Sequence, residues 1–304
     1  MNFSLTDILN TADLARYPSI QAVLGPKWLY SHYIHGQVAW EHGLRCGKDE
    51  AQSFQVGMAL ELGWAAVLLL DDILDEDEMR FHDVAAWKTN GIGSTAMEAG
   101  SMLVKSTALL HNWPLLLESF AQAIEETEVA SRELRTIDYG AEMSVLEPLV
   151  SSLGAMSVFA TSWAIPESGI GKVATYETCA GQLVNDCNDC FGAKARRRNY
   201  PDLRTHQPTL LSQLLITADK TGKWHELFEN VAKTDLPQLS LRIHKEIRKD
   251  SAPIFAYFDS CMARAKNTLS EIKDIPEQEY VGARNRVSSN AKAWKAKIER
   301  LIST

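Results

Sequence analysis

The sequence predicts an all-α protein, and three observations support this fold class. Apolar residues recur at the three- and four-residue spacing of helices, and no segment shows the alternation that is typical of a strand. Only 17 glycines and 10 prolines interrupt the 304 residues. With 45% hydrophobic residues, a chain of this length can bury a substantial core. We find no repeat and no linker, and therefore expect one domain over residues 1–304.

The predicted helices follow the hydrophobic periodicity and end near glycine, proline or polar clusters. Pro166, Gly169 and Gly171 mark one break, and the Lys-, Arg- and Asn-rich segment from Gly192 to Pro208 is the one long loop that we expect. The segment from Phe54 to Leu74 is apolar nearly all round, which is typical of a central bundle helix. The predicted helices cover residues 4–14, 19–45, 49–78, 84–111, 114–138, 141–164, 169–193, 208–219, 222–233, 236–247, 252–271 and 276–302.

Charge and hydropathy exclude several classes of function. The 31 basic and 39 acidic residues give a net charge of -8, which is the wrong sign for a protein that binds nucleic acid or an anionic membrane. The longest unbroken apolar run, Trp64 to Leu70, is too short to span a bilayer, and the first residues do not form a signal peptide. We therefore expect a cytoplasmic protein with no transmembrane segment and no nucleic-acid partner.

A first cluster of carboxylates follows this apolar run. Asp71 and Asp75 are one helical turn apart and project from the same face, with Asp72 beside them. Adjacent carboxylates at the end of an apolar helix repel one another, and Mg²⁺ relieves the repulsion while keeping coordination positions for phosphate oxygens. The alternative is a solvated helix end, because acidic residues continue to Glu78.

A second cluster strengthens the metal interpretation. Asn185 and Asp189 are again one turn apart, with Asp186 between them, at the end of another apolar helix. Basic residues from Lys194 to Arg198 follow immediately and could bind an anion. Oxygen ligands on two helices, nearby cations and an apolar interior suit an apolar molecule with a diphosphate head.

These residues resemble the motifs of the trans-isoprenyl diphosphate synthase superfamily, of the polyprenyl synthetase type. The similarity extends from about Gly25 to Leu211, with two aspartate-rich motifs in the family's order. It implies an isoprenoid synthase-type helical bundle around a central apolar cavity, several Mg²⁺ ions that bridge an allylic isoprenyl diphosphate, and a homodimer. The first motif and the arginine after it correspond to Asp71, Asp72, Asp75 and Arg80, and the second motif to Gln182, Asn185, Asp186 and Asp189.

The chain departs from the family where isopentenyl diphosphate would bind. Lys27 is retained, but Trp28 and Tyr30 stand where the family has arginines. Trp64 replaces the family's histidine, and Phe81 replaces the second arginine after the first motif. Aromatic side chains cannot offer the paired N–H donors that bind a diphosphate. The resemblance therefore implies a divergent member that lacks the isopentenyl diphosphate site.

The resemblance also implies roles for the candidate site residues. Asp71, Asp75 and Asp189 would hold Mg²⁺, with help from Asp72, Asn185 and Asp186. Arg80, Lys194 and Arg197, with Lys27, would bind the departing diphosphate together with Gln182. Trp64 and Phe81 would face the allylic cation. Ala66 and Val67 lie one turn before the first motif, with Gly63 below them, and their small size leaves room for a C15 or C20 chain.

Two enzyme functions follow, and the sequence leaves both open. The favoured function is Mg²⁺-dependent ionisation of an allylic diphosphate with prenyl transfer to an acceptor other than isopentenyl diphosphate. The alternative is a terpene synthase of the same fold, in which the cation cyclises or loses a proton. An ordinary chain-elongating synthase ranks lower, because the isopentenyl diphosphate site has lost its binding groups. A non-catalytic modifying subunit ranks last, since all six oxygen-bearing motif positions are kept.

Overall fold

The computed structural model describes residues 3, 16–30, 35–80, 83–191, 200–204, 207–219, 221–229 and 235–303. Helices make up the regular structure of this part of the chain, apart from one short hairpin, and this confirms the all-α fold class. The helices are α1 (Pro18–Tyr30), α2 (His35–Arg45), α3 (Glu50–Leu74), α4 (Ala86–Asn90), α5 (Ile92–Leu109), α6 (Pro114–Leu134), α7 (Met143–Leu153), α8 (Ala155–Ser162), α9 (Gly171–Phe191), α10 (Pro201–Arg204), α11 (Leu210–Ala218), α12 (Lys223–Glu229), α13 (Leu236–Lys249), α14 (Ala252–Glu271) and α15 (Glu277–Ser303).

The chain divides into two compact units. Unit 1 consists of Met1–Glu125, Met156–Gly171 and Asp274–Glu279. Unit 2 consists of Glu126–Ala155, Lys172–Lys273 and Tyr280–Thr304. The first carboxylate cluster belongs to unit 1 and the second to unit 2. The single domain over residues 1–304 stays a prediction.

The structure corrects three details of the predicted helices. Residues Met79–Arg80 (β1) and Asp83–Val84 (β2) pair as antiparallel strands, although no strand was expected. The helix expected over 84–111 is divided at Gly91, which has a φ of 83° that other residues rarely adopt. The helix expected over 141–164 is divided at Gly154, which lies between the end of α7 and the start of α8.

Helix α3 is the central helix of unit 1, and a backbone contact fixes it against α2. A methyl group at Gly36 would lie 2.4 Å from the carbonyl oxygen of Gly57, and one at Gly57 would lie 2.6 Å from the carbonyl oxygen of Gly36. The Gly36 N–H donates a hydrogen bond of 2.8 Å to Oε2 of the buried Glu61. Glycine at both positions therefore lets the two helices approach until their backbones touch.

Helix α3 is also long and apolar enough, by length and composition, to cross a membrane. Its most apolar window is 67% buried inside the protein, and the bent pair α7 and α8 passes the same test if it is taken as one span. The core helix of a folded domain meets these criteria as well. The expected absence of a transmembrane segment stays a prediction.

A buried carboxylate links α15 to α2 within unit 1. Glu279 is fully buried, and its Oε2 accepts a hydrogen bond of 2.7 Å from Arg45 Nε. His42 Nδ1 lies 3.1 Å from Glu279 Oε1. Burial alone would raise the pKa of Glu279, but His42 and Arg45 together hold it below its ordinary value of 4.5. The carboxylate form is thus the one that unit 1 stabilises.

We expect Glu279→Gln to lower the free energy of unfolding by about 2 kcal/mol, because hydrogen bonds to charged groups are lost in a buried place. Since the folded-state pKa of Glu279 is depressed, its contribution is present above pH 4.5 and is lost as the pH falls through the folded-state pKa. Urea unfolding between pH 3 and 7 measures both effects, with the exposed Glu271→Gln as control. If the free energy of unfolding falls equally with decreasing pH in wild type and in Glu279→Gln, the inference is wrong.

Candidate functional site

The first carboxylate cluster lies where α3 ends. The backbone N–H of Asp75 donates to the Asp71 carbonyl at 2.8 Å, and the next residue, Glu76, has a φ of 53° that stops the helix. The Asp72 side chain is 1% exposed, whereas the Asp71 side chain is 38% exposed. The cluster therefore combines a buried carboxylate with a neighbour that solvent can reach.

Arg80 contacts two members of this cluster. Its Nε donates a hydrogen bond of 2.6 Å to Asp72 Oδ1, and its Nη2 donates one of 3.0 Å to Asp71 Oδ2 and also pairs with Asp72 Oδ1. Arg80 belongs to β1, which pairs with β2 in a register that places Arg80 opposite Asp83. Burial alone would lower the pKa of Arg80, but the charges of Asp72 and Asp71 raise it above its ordinary value.

The alternative interpretation of the acidic run as a solvated helix end is only partly correct. Asp77, inside the acidic run, is 1% exposed, and its carbonyl accepts a hydrogen bond of 2.7 Å from Trp87 Nε1. Glu78 is exposed and pairs with Lys88 at 2.7 Å. The run is therefore a folded turn with one buried acid, because Trp87 and the short hairpin cover part of it.

In the second cluster, on α9, Asp186 has a structural partner on each oxygen. Gln182 Nε2 donates to its Oδ1 at 2.8 Å, and the backbone N–H of Leu211 donates to its Oδ2 at 3.1 Å. Leu211 is in the first turn of α11, where Thr209 caps the helix through Ser212. Burial raises the pKa of Asp186 to about 7, against the opposing effect of the Leu211 N–H. Asp186 thus holds the start of α11.

The other two positions of the second motif differ in their exposure. Asn185 is exposed, whereas Asp189 is buried within unit 2. The sequence predicted that both project from one face, and their spacing on α9 agrees with that placement.

The first cluster fits a hard divalent cation. Its donors are carboxylate oxygens, the ligands that Mg²⁺ takes, and a guanidinium already lies between two of them. In the second cluster, Asp189 and Asn185 offer further oxygens, while both oxygens of Asp186 accept hydrogen bonds from the protein. The assignment of Asp71, Asp75 and Asp189 as metal ligands stays a prediction.

Trp64 packs against a histidine that the sequence did not assign to the site. The rings of Trp64 and His35 lie with centroids 4.3 Å apart, and His35 Nε2 is 3.0 Å from Ser157 Oγ. Trp64 is half-buried. The position where the family has histidine therefore carries a tryptophan whose ring packs, tilted by 35°, against a histidine from α2.

The space beside Gly63 is occupied by Phe120, a residue that the sequence analysis missed. A methyl group at Gly63 would lie 2.8 Å from Phe120 Cζ and 3.3 Å from Met156 Cε. Phe120 is fully buried and packs edge-on against Phe159 at 5.4 Å. Ala66 is buried and Val67 half-buried. No local pattern marks Phe120, because this contact joins helices that are far apart in the sequence.

Several predicted site residues fall outside the described part of the chain. Phe81, Lys194 and Arg197 lie outside the described residues, and so do Arg196 and Arg198. Lys27 is within α1, but its side chain is not among those described. The diphosphate-binding and cation-facing roles of these residues stay predictions.

The fold is similar to that of several proteins of known structure. No protein-family model matches the chain, and no curated protein matches it in sequence. Heptaprenyl diphosphate synthase from Staphylococcus aureus is similar in structure, with a TM-score of 0.76 and 13% identity over 96% of this chain and 99% of that one. Polyprenyl synthase from Caulobacter crescentus, solved with calcium and isoprenyl diphosphate, gives 0.70 and 18% over 96% and 98%.

Farnesyl diphosphate synthase from T. brucei, in complex with a bisphosphonate, gives a TM-score of 0.74 and 13% identity over 94% of this chain and 96% of that one. The chain therefore has the all-α fold of the isoprenyl diphosphate synthases over nearly its whole length. This confirms the predicted fold class and, at the level of the fold, the resemblance to the trans-isoprenyl diphosphate synthases.

Proposed function

We propose that the protein ionises an allylic isoprenyl diphosphate with the help of Mg²⁺ and transfers the prenyl group to an acceptor other than isopentenyl diphosphate. The observation that carries the proposal is the carboxylate cluster of Asp71, Asp72 and Asp75 at the end of α3, with Arg80 upon it. A chain with the isoprenyl diphosphate synthase fold keeps the groups that bind metal and diphosphate at this point.

In the proposed reaction the C–O bond to the diphosphate breaks, and its electron pair leaves with the diphosphate. Mg²⁺ supplies the positive charge that makes this group able to leave. Asp71, Asp75 and Asp189 would hold the metal, with Asp72, Asn185 and Asp186 as further oxygen donors. These roles are carried over from the family resemblance, and the calcium and isoprenyl diphosphate bound to the Caulobacter enzyme support them by analogy.

Arg80 binds the departing diphosphate, because its guanidinium presents several N–H donors in one plane. Lys194, Arg197 and Lys27 add positive charge, and Gln182 orients Asp186 through the 2.8 Å hydrogen bond. The allylic cation then alkylates the acceptor, and the acceptor loses a proton. The half-buried indole of Trp64 stabilises the cation, and Phe81 is assigned the same role from the sequence alone.

The choice of an acceptor other than isopentenyl diphosphate rests on Trp64. An ordinary synthase of the family that the chain resembles has a histidine there that helps to bind a second diphosphate, whereas this chain has an indole that packs against His35. The indole offers an aromatic face and no paired N–H donors for a diphosphate. Such a surface suits an apolar or aromatic acceptor better than an anionic one.

The second candidate is a terpene synthase acting on a C15 or C20 diphosphate. The aromatic face of Trp64 would stabilise a cation that cyclises as well as one that alkylates an acceptor. The proposal includes a homodimer and a cytoplasmic location, both carried over from the sequence analysis.

Incubation with allylic diphosphates tests the proposal. Purified protein with Mg²⁺ would receive C10, C15 or C20 allylic diphosphate, each with and without isopentenyl diphosphate, while diphosphate release and organic products are followed together. We expect slow diphosphate release that yields prenyl alcohol when no acceptor is present, with no dependence on isopentenyl diphosphate. EDTA should abolish the release.

The other outcomes separate the alternatives. A cyclic or deprotonated hydrocarbon from one substrate would establish the terpene synthase and overturn the transfer reaction. Chain elongation with isopentenyl diphosphate would show that Trp64 and Phe81 do not prevent binding of a second diphosphate. No release from any of the three substrates would overturn the enzymatic proposal.

A further inference from the structure

We propose that Arg80 is a built-in competitor for the metal at Asp71, and that diphosphate binding removes this competition. Metal and diphosphate would then bind cooperatively, each weakly alone and tightly together. This inference rests on the proposed function, because it concerns the same metal and the same diphosphate.

Arg80 contacts Asp72 more extensively than Asp71, and this difference determines which of the two contacts a metal can replace. Asp72 is 1% exposed and receives both Nε and Nη2 of Arg80, so it anchors the guanidinium. Asp71 is 38% exposed, and within the described part of the chain its side chain accepts one hydrogen bond, through Oδ2 at 3.0 Å. The contact with Asp71 is therefore the one that can break while Arg80 keeps its position on Asp72.

The same oxygen of Asp71 cannot serve the guanidinium and a divalent cation equally well. A cation that approaches Asp71 also approaches the positive charge of Arg80, whose side chain is only 15% exposed and so is weakly screened by water. Without an anion, Arg80 thus lowers the affinity of the first cluster for Mg²⁺.

Binding of a diphosphate restores the affinity of the first cluster for the metal. The planar guanidinium can keep its Nε–H on Asp72 while its Nη2 donates to a phosphate oxygen in place of Asp71. Asp71 Oδ2 is then available to the metal. By linkage, the diphosphate raises metal affinity by the same factor by which the metal raises diphosphate affinity, and such factors are typically about 5- to 150-fold.

Binding of Mn²⁺, followed by electron paramagnetic resonance with and without inorganic pyrophosphate, tests this proposal without any turnover. The variants are Arg80→Gln, Arg80→Lys and a control, Lys88→Gln, which removes a nearby positive charge that pairs with Glu78 and does not contact Asp71. Circular dichroism verifies that each variant is folded. Asp75→Asn assigns the bound ion to the first cluster by weakening it.

We expect pyrophosphate to tighten Mn²⁺ binding by wild type at least 10-fold. Arg80→Gln should bind Mn²⁺ alone at least 5-fold more tightly than wild type, yet show little further tightening with pyrophosphate. Arg80→Lys should fall between the two, and Lys88→Gln should match wild type. If Lys88→Gln binds Mn²⁺ as tightly as Arg80→Gln does, loss of any nearby positive charge explains the effect, and the proposal is overturned.

Because Arg80→Gln leaves the buried Asp72 without its counter-charge, the comparison is repeated in a second background. The double variant Asp72→Asn with Arg80→Gln is compared with Asp72→Asn alone, so that no buried charge is orphaned. Here too, removal of Arg80 should tighten Mn²⁺ binding without pyrophosphate. Equal Mn²⁺ affinities of the single and the double variant would overturn the proposal.

The two proposals fail in different ways. If wild type and all variants bind no Mn²⁺ even with pyrophosphate, the proposed function fails and this inference fails with it. If wild type binds Mn²⁺ together with pyrophosphate and Arg80→Gln shows the same coupling, only the competition by Arg80 is wrong.

Discussion

The variants Asp71→Asn and Asp75→Asn are expected to release diphosphate from an allylic substrate at least 100-fold more slowly than wild type. Asparagine keeps an oxygen but contributes no negative charge, so the cluster at the end of α3 holds a divalent cation less firmly. Loss of one preorganised electrostatic contact to a developing charge typically costs about 10²- to 10³-fold in rate. The measurement is pyrophosphate release as a function of Mg²⁺ concentration, in which both variants should need more Mg²⁺.

Glu78→Gln is the matched control for these two variants. Glu78 belongs to the same acidic run, but it is exposed and pairs with Lys88 at 2.7 Å. Its rate and Mg²⁺ requirement should equal those of wild type. Equal rates for Asp71→Asn and wild type would instead place the metal away from α3 and would remove the main support for the proposed function.

We expect Phe120→Ala to lower the free energy of unfolding of the protein by about 3–5 kcal/mol. Truncation of a fully buried phenylalanine loses its transfer free energy and leaves a cavity. This cavity cannot close easily, because Phe120 packs on Phe159 on one side and fills the space beside Gly63 on another. Urea unfolding followed by circular dichroism measures the change.

Leu115→Ala, on the same helix as Phe120, is the control for this prediction. Leu115 is 78% exposed, and its truncation should change stability by less than about 0.5 kcal/mol. A cost for Phe120→Ala near that of Leu115→Ala would show that α6 is not packed against α3 as described.

The same substitution bears on substrate length. Gly63 precedes Asp71 by two helical turns, which places it about 12 Å along α3 from the carboxylate cluster. If the prenyl chain of the substrate lies along this helix, the space opened by Phe120→Ala shifts the preference toward a longer allylic diphosphate. A preference that is unchanged in a folded Phe120→Ala protein would assign Phe120 to the core alone.

The fold was predictable where the local pattern is strong. Helix α3 is apolar nearly all round, as the sequence predicts, but it ends at Leu74 and not at residue 78 as expected. The break at Gly91 was missed because glycine is tolerated inside helices, and only its positive φ shows that the helix stops there. The strands β1 and β2 were missed because two residues are too few to show an alternating pattern.

The site was predictable to the extent that its residues are neighbours in the sequence. Asp71, Asp72 and Arg80 lie within one segment, so their proximity could be expected. The contact of Leu211 with Asp186 and the packing of His35 against Trp64 could not, because each joins residues that only tertiary packing brings together. The same holds for Phe120.

The touching backbones of Gly36 and Gly57 bear on how such a sequence can diverge. The backbones of α2 and α3 are in direct contact at this point, where the Glu61 side chain also accepts the Gly36 N–H, so exchanges elsewhere in the core of unit 1 need not move the helix that carries Asp71. A lineage that keeps these two glycines can replace much of its core volume for volume. Drift of that kind would leave the acidic end of the helix in place long after relatedness has faded from the sequence.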